Sequence, residues 1–143
     1  MDDPIALLEA VYQSYRKDLE TAILKQRPAD GLFGIGSSIE KDPCHDRFDA
    51  QILALITQVS ASDPSSDLAR QLLQILLIHP DLAQWHVSAQ WMLRAAERHA
   101  LLLIPSLNAR DAAELVKQYD SQYKRWDRLP AQKDVYKALK ART

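Results

Sequence analysis

The chain has 143 residues and a formal net charge of −1. This length is typical of one domain with a substantial core, and the ordinary apolar and charged fractions exclude a disordered or collagen-like chain. The single cysteine cannot form an internal disulfide, so we expect a cytoplasmic protein. The apolar runs are too short to cross a bilayer, and the acidic start Met-Asp-Asp-Pro is unlike a signal peptide, so no membrane contact is expected.

Charge is distributed unevenly along the chain. Residues 117–143 contain eight Lys or Arg residues against three Asp residues, a net charge of +5, whereas residues 1–116 carry −6. A basic segment of this kind can contact nucleic acid. It can equally fold back onto the acidic remainder of the same chain.

The residue pattern is helical throughout. Glycine is scarce while Leu, Ala and Gln are abundant, which favours helix over strand. Apolar residues recur at spacings of three and four, and prolines introduce several of the segments. We therefore predict an all-α fold: a compact single-domain bundle of five to six helices over residues 1–143, with one long packed loop after the first helix.

The first three helices differ in their predicted environment. The first is predicted to run from about Pro4 to Gln26, and the long loop follows at residues 27–42. The second helix begins at Pro43, and the third begins near Ser66. Because the third is apolar almost all round, we predict that it lies at the centre of the bundle.

The fourth helix is predicted from Pro80 to about Leu103, with His99 on its apolar seam. We expect this histidine to be hydrogen-bonded to a carbonyl group or a tyrosine, which is commoner in such a place than a metal.

The fifth helix begins with Asn108 as its cap, and the last helix runs from Pro130 to about Ala141. The apolar stripe of the fifth helix comprises Ala112, Val116, Tyr119, Tyr123 and Trp126.

The stretch GLFGIGSSIEKDPCHDRF, residues 31–48, contains all three glycines and the cysteine. Gly34, Gly36, Ser37 and Lys41 could present backbone N–H groups and a cation to a phosphate. However, their spacing matches neither a P-loop nor a dinucleotide-binding loop, and no strand is predicted before them. The alternative is a packed connector whose glycines supply positive φ.

Cys44 and His45 fall in the first turn of the second helix, where the helix dipole favours a thiolate. Successive side chains on a helix point about 100° apart, so His45 is badly placed to activate Cys44. His99 or another distant residue would have to be the base. We therefore interpret Cys44 as a small, semi-buried residue under the packed loop, and the residues favour a non-catalytic protein over an enzyme. His45 and Asp49 lie one turn apart, but no partner helix repeats the pair, so we expect no metal and no cofactor.

Trp91, Arg94 and Arg98 fall on one side of the fourth helix. An exposed Trp beside Arg is typical of protein interfaces. The same pattern also fits a core on two sides of the helix, with Arg stems covering the ring. Residues 117–143 interleave aromatic and basic residues, which suits single-stranded nucleic acid, but the aromatic stripe has the periodicity of a core. The sequence thus argues against a nucleic-acid partner.

Three functions are consistent with these patterns. The favoured one is a non-catalytic cytoplasmic helical module that binds a protein partner or a second copy of itself. The first alternative is a nucleic-acid-associated protein that uses residues 117–143. The second alternative is a small-ligand or cysteine-dependent site in residues 31–48.

Overall fold

A computed structural model describes the backbone of residues 3–33 and 43–143 and the side chains of residues 3–22 and 44–143. These residues form helices and contain no strand, which confirms the predicted all-α class. Their α-helices are α1 (Pro4–Phe33), α2 (Pro43–Ala61), α3 (Ser66–Leu77), α4 (Val87–Ala96), α5 (Ala109–Gln122) and α6 (Pro130–Arg142). Short 3₁₀ segments lie at Leu82–Gln84, Glu97–Leu102, Ile104–Ser106 and Arg125–Asp127. No described helix is both long enough and apolar enough to cross a membrane.

Helix α1 is longer than the sequence predicts. It ends at Phe33, so the predicted end at Gln26 was wrong. Pro28 removes one backbone donor from a helix and crowds the carbonyl four residues earlier, but a helix can bend at such a residue and continue. Residues 27–33 of the predicted loop are therefore helical, and residues 34–42 lie outside the described part of the chain.

The fourth helix, predicted to be continuous from Pro80 to Leu103, is divided into three segments. After the 3₁₀ turn Leu82–Gln84, His86 has extended backbone angles and caps α4, its ring nitrogen accepting the N–H of Ser88 at 3.2 Å. An N-cap residue leaves the helical region of φ and ψ, so the pattern is interrupted there. Beyond α4 the chain tightens into the 3₁₀ segment Glu97–Leu102, which changes the direction of the side chains that follow.

Helix α3 lies at the centre of the core, as its apolar sequence predicts. It packs against α1, α4, α5 and the 3₁₀ segment Glu97–Leu102. Its buried residues are Ala69, Leu72, Leu73, Leu76 and Leu77. Aromatic rings fill the space between α1 and α2, where Tyr15 stacks on Phe48 with 4.2 Å between the ring centres.

The basic C-terminal segment folds onto the rest of the chain. Helix α6 packs against α5 and against the 3₁₀ segment Glu97–Leu102, with Val135 and Leu139 fully buried. At its end, Arg142 Nε donates to the carbonyl oxygen of Leu107 at 3.1 Å. This segment is therefore part of the packed structure, in agreement with the second of the two interpretations of its charge.

The start of α5 is confirmed, but its predicted apolar stripe is one residue too long. Asn108 caps the helix, since its Oδ1 accepts the N–H of Asp111 at 2.8 Å. Helix α5 ends at Gln122, and Tyr123 already has extended backbone angles. Trp126 lies beyond this point in a 3₁₀ turn with 85% of its surface exposed, so its placement in the core was wrong. The helical period ceases to predict burial once the chain leaves the helix.

The packing of α6 predicts that its apolar residues contribute to stability. Leu139→Ala removes a fully buried side chain and should lower the free energy of unfolding by about 2–5 kcal/mol. Removal of residues 130–143 should destabilise the fold further. Urea denaturation followed by circular dichroism measures both effects.

Lys140→Ala, at the exposed neighbouring position, is the matched control and should change the free energy of unfolding by less than about 0.5 kcal/mol. Equal stability of the Leu139→Ala variant and the unmodified protein would contradict the burial of α6.

Candidate functional site

Glu97 is a fully buried carboxyl group at the start of the 3₁₀ segment. The hydroxyl of Tyr119 donates to its Oε1 at 2.6 Å, and Nε2 of Gln132 donates to its Oε2 at 2.9 Å. The hydroxyl of Tyr123 donates to Oε2 at 3.4 Å. Burial raises the pKa of Glu97 to about 8, because desolvation outweighs the hydrogen bonds that favour the carboxylate. Burial likewise raises the pKa of the two tyrosines.

Gln132 extends this hydrogen-bond network towards α4. Its Oε1 accepts from Nε of Arg94 at 3.1 Å, and Arg94 also donates to the carbonyl oxygen of Asp127. The guanidinium of Arg94 lies 5.6 Å from the ring centre of Tyr123. Arg94, a residue of the predicted interface, therefore ties α4 to α6 and to the turn before it. We call Glu97, Arg94, Tyr119, Tyr123 and Gln132 the Glu97 cluster.

The Glu97 cluster was missed by the sequence analysis. A signal for it does exist, since Leu93, Glu97 and Ala100 follow the helical spacing of a buried face. A carboxyl group at a position that the spacing assigns to the buried face is either turned out to solvent or buried with hydrogen-bond partners. Glu97 is closed to solvent, and its hydrogen bonds connect the 3₁₀ segment to α5 and α6.

Cys44 and His45 occupy the first turn of α2, as predicted, and Cys44 is buried. Nη2 of Arg47 lies 4.0 Å from the sulfur of Cys44. The ring of His45 meets that of Tyr15 with 5.8 Å between their centres. The other candidate residues of this site, Gly34, Gly36, Ser37 and Lys41, lie outside the described residues.

His99 is bonded to a carboxylate, so the expected carbonyl or tyrosine partner was wrong. Its Nε2 lies 3.0 Å from Oδ1 of Asp49, and Nη2 of Arg98 donates to Oδ2 of the same residue at 2.6 Å. Asp49 thereby joins α2 to the 3₁₀ segment. Within the described residues, no three His, Cys, Asp or Glu side chains form a group that could hold a metal.

The outer side of α4 exposes two large apolar side chains one turn apart. Trp91 is 60% exposed and Val87 is 69% exposed, whereas the opposite side of the helix is buried through Leu93. An open cleft of about 370 Å³ beside the ring is lined by His45, Ser88, Trp91, Met92 and Ala95. We call Val87, Trp91 and this cleft the α4 face. The guanidinium groups of Arg94 and Arg98 bind the partners described above, and Trp91 is mostly exposed, unlike the covered ring of one sequence interpretation.

A larger cleft of about 560 Å³ lies between α1 and α3. At its edge the guanidinium of Arg16 lies 4.7 Å from the ring centre of Trp85 and donates to Oδ2 of Asp81 at 2.9 Å. His79 borders the cleft, with its Nε2 3.0 Å from the carbonyl oxygen of Leu76. Burial lowers the pKa of His79 to about 4, so it is neutral at physiological pH. These contacts connect α1 to the chain that follows α3.

Arg128 is a buried cation in the turn that joins α5 to α6. Its Nη2 donates to Oδ1 of Asp120 at 2.7 Å and to the carbonyl oxygen of Tyr123 at 2.8 Å. The hydrogen bond from Arg128 lowers the pKa of Asp120. The same guanidinium lies 4.3 Å from the ring centre of Tyr136 on α6. The turn is therefore fixed against both helices, although Trp126 within it is exposed.

No protein-family model, curated protein or solved structure matches this chain. Among the described side chains, those of the α4 face and Trp126 are exposed to solvent, whereas Glu97, Tyr119, Tyr123 and Gln132 are buried.

The Glu97 cluster predicts an unusual dependence of stability on pH. The pKa of Glu97 is about 8 in the folded chain, against 4.5 for an ordinary glutamate. Between these pH values the unfolded state has lost a proton that the folded state retains, so rising pH lowers the free energy of unfolding. The Glu97→Gln variant has no proton to lose at this position. Its free energy of unfolding should therefore rise, relative to that of the unmodified protein, by roughly 3 to 5 kcal/mol across this pH window.

Urea denaturation at several pH values measures this difference. Because His79 titrates in both proteins, its contribution cancels when the two are compared. Glu114→Gln, at an exposed position of α5, is the control and should follow the unmodified protein. A difference between Glu97→Gln and the unmodified protein that does not vary with pH would contradict the raised pKa.

Burial of Cys44 predicts an unreactive thiol. Iodoacetamide should modify Cys44 slowly in the folded protein and quickly in urea, because a structural cysteine is shielded until the chain unfolds. Mass spectrometry over time measures the rate. Rapid modification of the folded protein below neutral pH would instead indicate an activated thiolate and would favour a cysteine-dependent site in residues 31–48.

Proposed function

We propose that this chain is a non-catalytic cytoplasmic helical module that pairs with a second copy of itself through the α4 face. The observation that carries this proposal is the exposure of Trp91, which is 60% exposed. Val87, one turn away, is 69% exposed, whereas the other side of the same helix is in the core. Tryptophan is a residue that chains usually bury, and it is enriched at the centres of protein interfaces. The cytoplasmic location rests on the single cysteine.

The shape of the α4 face favours a two-fold pairing. An interface between identical subunits related by a two-fold axis needs one patch that is complementary to itself. Here a large ring and an open cleft of about 370 Å³ lie side by side on the same patch. In a two-fold arrangement, Trp91 of each copy can approach the cleft of the other, bordered by Met92 and Ala95.

The charges around the α4 face favour a second copy over a charged partner. A two-fold interface brings each charged group close to its own equivalent, so unpaired charges there would be destabilising. Arg98 is paired with Asp49, and Arg47 lies 3.7 Å from Asp18. Arg94 is bonded within the Glu97 cluster. The guanidinium groups of Arg94 and Arg98, the two arginines predicted beside Trp91, are therefore engaged by partners in the same chain.

Sedimentation equilibrium over a range of protein concentrations tests the proposal. We expect a concentration-dependent dimer, and we expect Trp91→Ser to shift the equilibrium to monomer by at least about tenfold in Kd, as loss of a central aromatic anchor does. Trp126→Ser is the matched control: it removes a still more exposed tryptophan from another element and should leave the dimer unchanged.

Circular dichroism should show that both variants fold. A protein that stays monomeric at about 1 mM would overturn self-association, because the pairing would then be too weak to populate. A dimer that Trp126→Ser weakens and Trp91→Ser does not would place the interface elsewhere.

A further inference from the structure

The turn between α5 and α6 exposes an aromatic ring among cations. Trp126 is 85% exposed, and its neighbours Lys124 and Arg125 are exposed as well. The other aromatic residues of this region behave differently, since Tyr119 and Tyr123 are buried in the Glu97 cluster. The two tyrosines are therefore part of the core, whereas the indole ring of Trp126 lies in solvent.

A row of lysines follows on α6. Lys133, Lys137 and Lys140 are exposed and share one face of the helix, because they are spaced by four and three residues. Within the described side chains, none of these lysines is part of an ion pair, and neither is Lys124 or Arg125. Their charge is therefore directed to solvent.

Arg128 fixes the turn beside this row. Its guanidinium lies 4.3 Å from the ring centre of Tyr136, and Tyr136 is one position from Lys137 and one turn from Lys133 and Lys140. Arg128, two residues after Trp126, therefore contacts α6 next to the lysines. We call Lys124, Arg125, Trp126, Lys133, Lys137 and Lys140 the basic surface.

We propose that the basic surface binds single-stranded nucleic acid, with Trp126 stacked on a base and the cations on the phosphates. Sequence-independent binding to single strands combines these two elements, a stacking ring and a track of positive charge. An acidic protein would form ion pairs with the cations, but it has no nucleobases to stack on the exposed indole ring. The exposed carboxylates of this stretch, Asp127 and Asp134, leave a positive excess, and Asp120 is already paired with Arg128.

Trp126 is available for stacking because it lies beyond the end of α5. The periodicity of the fifth helix assigned its whole aromatic stripe to the core, which left no ring for stacking. Because α5 ends at Gln122, Trp126 is outside that periodicity and in solvent. The basic segment can therefore pack onto the body through Val135 and Leu139 and still present a binding surface on its outer side.

Fluorescence anisotropy with a labelled oligothymidylate of about 15 nucleotides tests the proposal. We expect binding at low salt that Trp126→Ala weakens at least about fivefold, whereas Trp126→Phe, which keeps a ring, retains most of the affinity. Replacing Lys133, Lys137 and Lys140 together with Gln should reduce the slope of log K against log salt by about 2, since each phosphate contact to a single strand contributes about 0.7.

Matched control variants test whether the changes in oligonucleotide affinity are specific to the basic surface. The same three lysines changed to Arg preserve the charge and should preserve the salt slope. Leu53→Ala removes an exposed apolar side chain of α2, outside both the basic surface and the α4 face, and should leave the affinity for the oligonucleotide unchanged. Thermal melting of every variant confirms that the exposed substitutions leave the fold intact.

Three results would overturn the proposal. The first is no binding of the oligothymidylate at about 50 mM salt, where electrostatic contacts are strong. The second is binding that Trp126→Ala does not weaken. The third is equally tight, Trp126-independent binding of polyglutamate, which would identify the basic surface as a site for an acidic protein.

Discussion

The burial of one carboxyl group, that of Glu97, is the constraint on which the arrangement of the C-terminal half depends. Removing a carboxyl group from water costs several kcal/mol unless hydrogen bonds replace those to the solvent. These replacements come from Tyr119 and Tyr123 at the end of α5 and from Gln132 on α6. Since hydrogen bonds require defined distances and angles, both helices have to sit where the three side chains converge.

The same constraint explains the shape of the chain around α4. At Glu97 the backbone changes from α-helix to 3₁₀ segment, and Arg94, one turn earlier, is bonded to Gln132. The inner side of α4 is therefore committed to the Glu97 cluster and to the core. Its outer side has no comparable neighbour among the described residues, and Trp91 lies there with most of its ring in solvent. Of the predicted interface residues, Arg94 is thus engaged in contacts inside the structure, whereas Trp91 is exposed to solvent.

Two exposed tryptophans mark two chemically different surfaces. Arg94 and Arg98, the arginines predicted beside Trp91, are hydrogen-bonded within the chain, so the exposed part of the α4 face is mainly apolar, which suits contact with an identical surface. Trp126 lies among cations outside any ion pair of the described residues, which suits a polyanion. A dimer formed through α4 would carry two basic surfaces, and simultaneous contact with both would strengthen binding to a long strand through effective concentration.

The sequence alone determined what depends on local periodicity. The spacing of apolar residues predicted the all-α class and the central position of α3, and the cap at Asn108 was placed correctly. These features were predictable because helix formation and capping depend on residues within one or two turns. Only the tertiary structure decided which polar groups meet, such as Asp49 with His99 and Glu97 with Gln132, since these partners are 50 and 35 residues apart. It also decided that Trp126 is exposed and Arg94 engaged, because the exposure of a side chain depends on where distant helices end and pack, which local spacing does not encode.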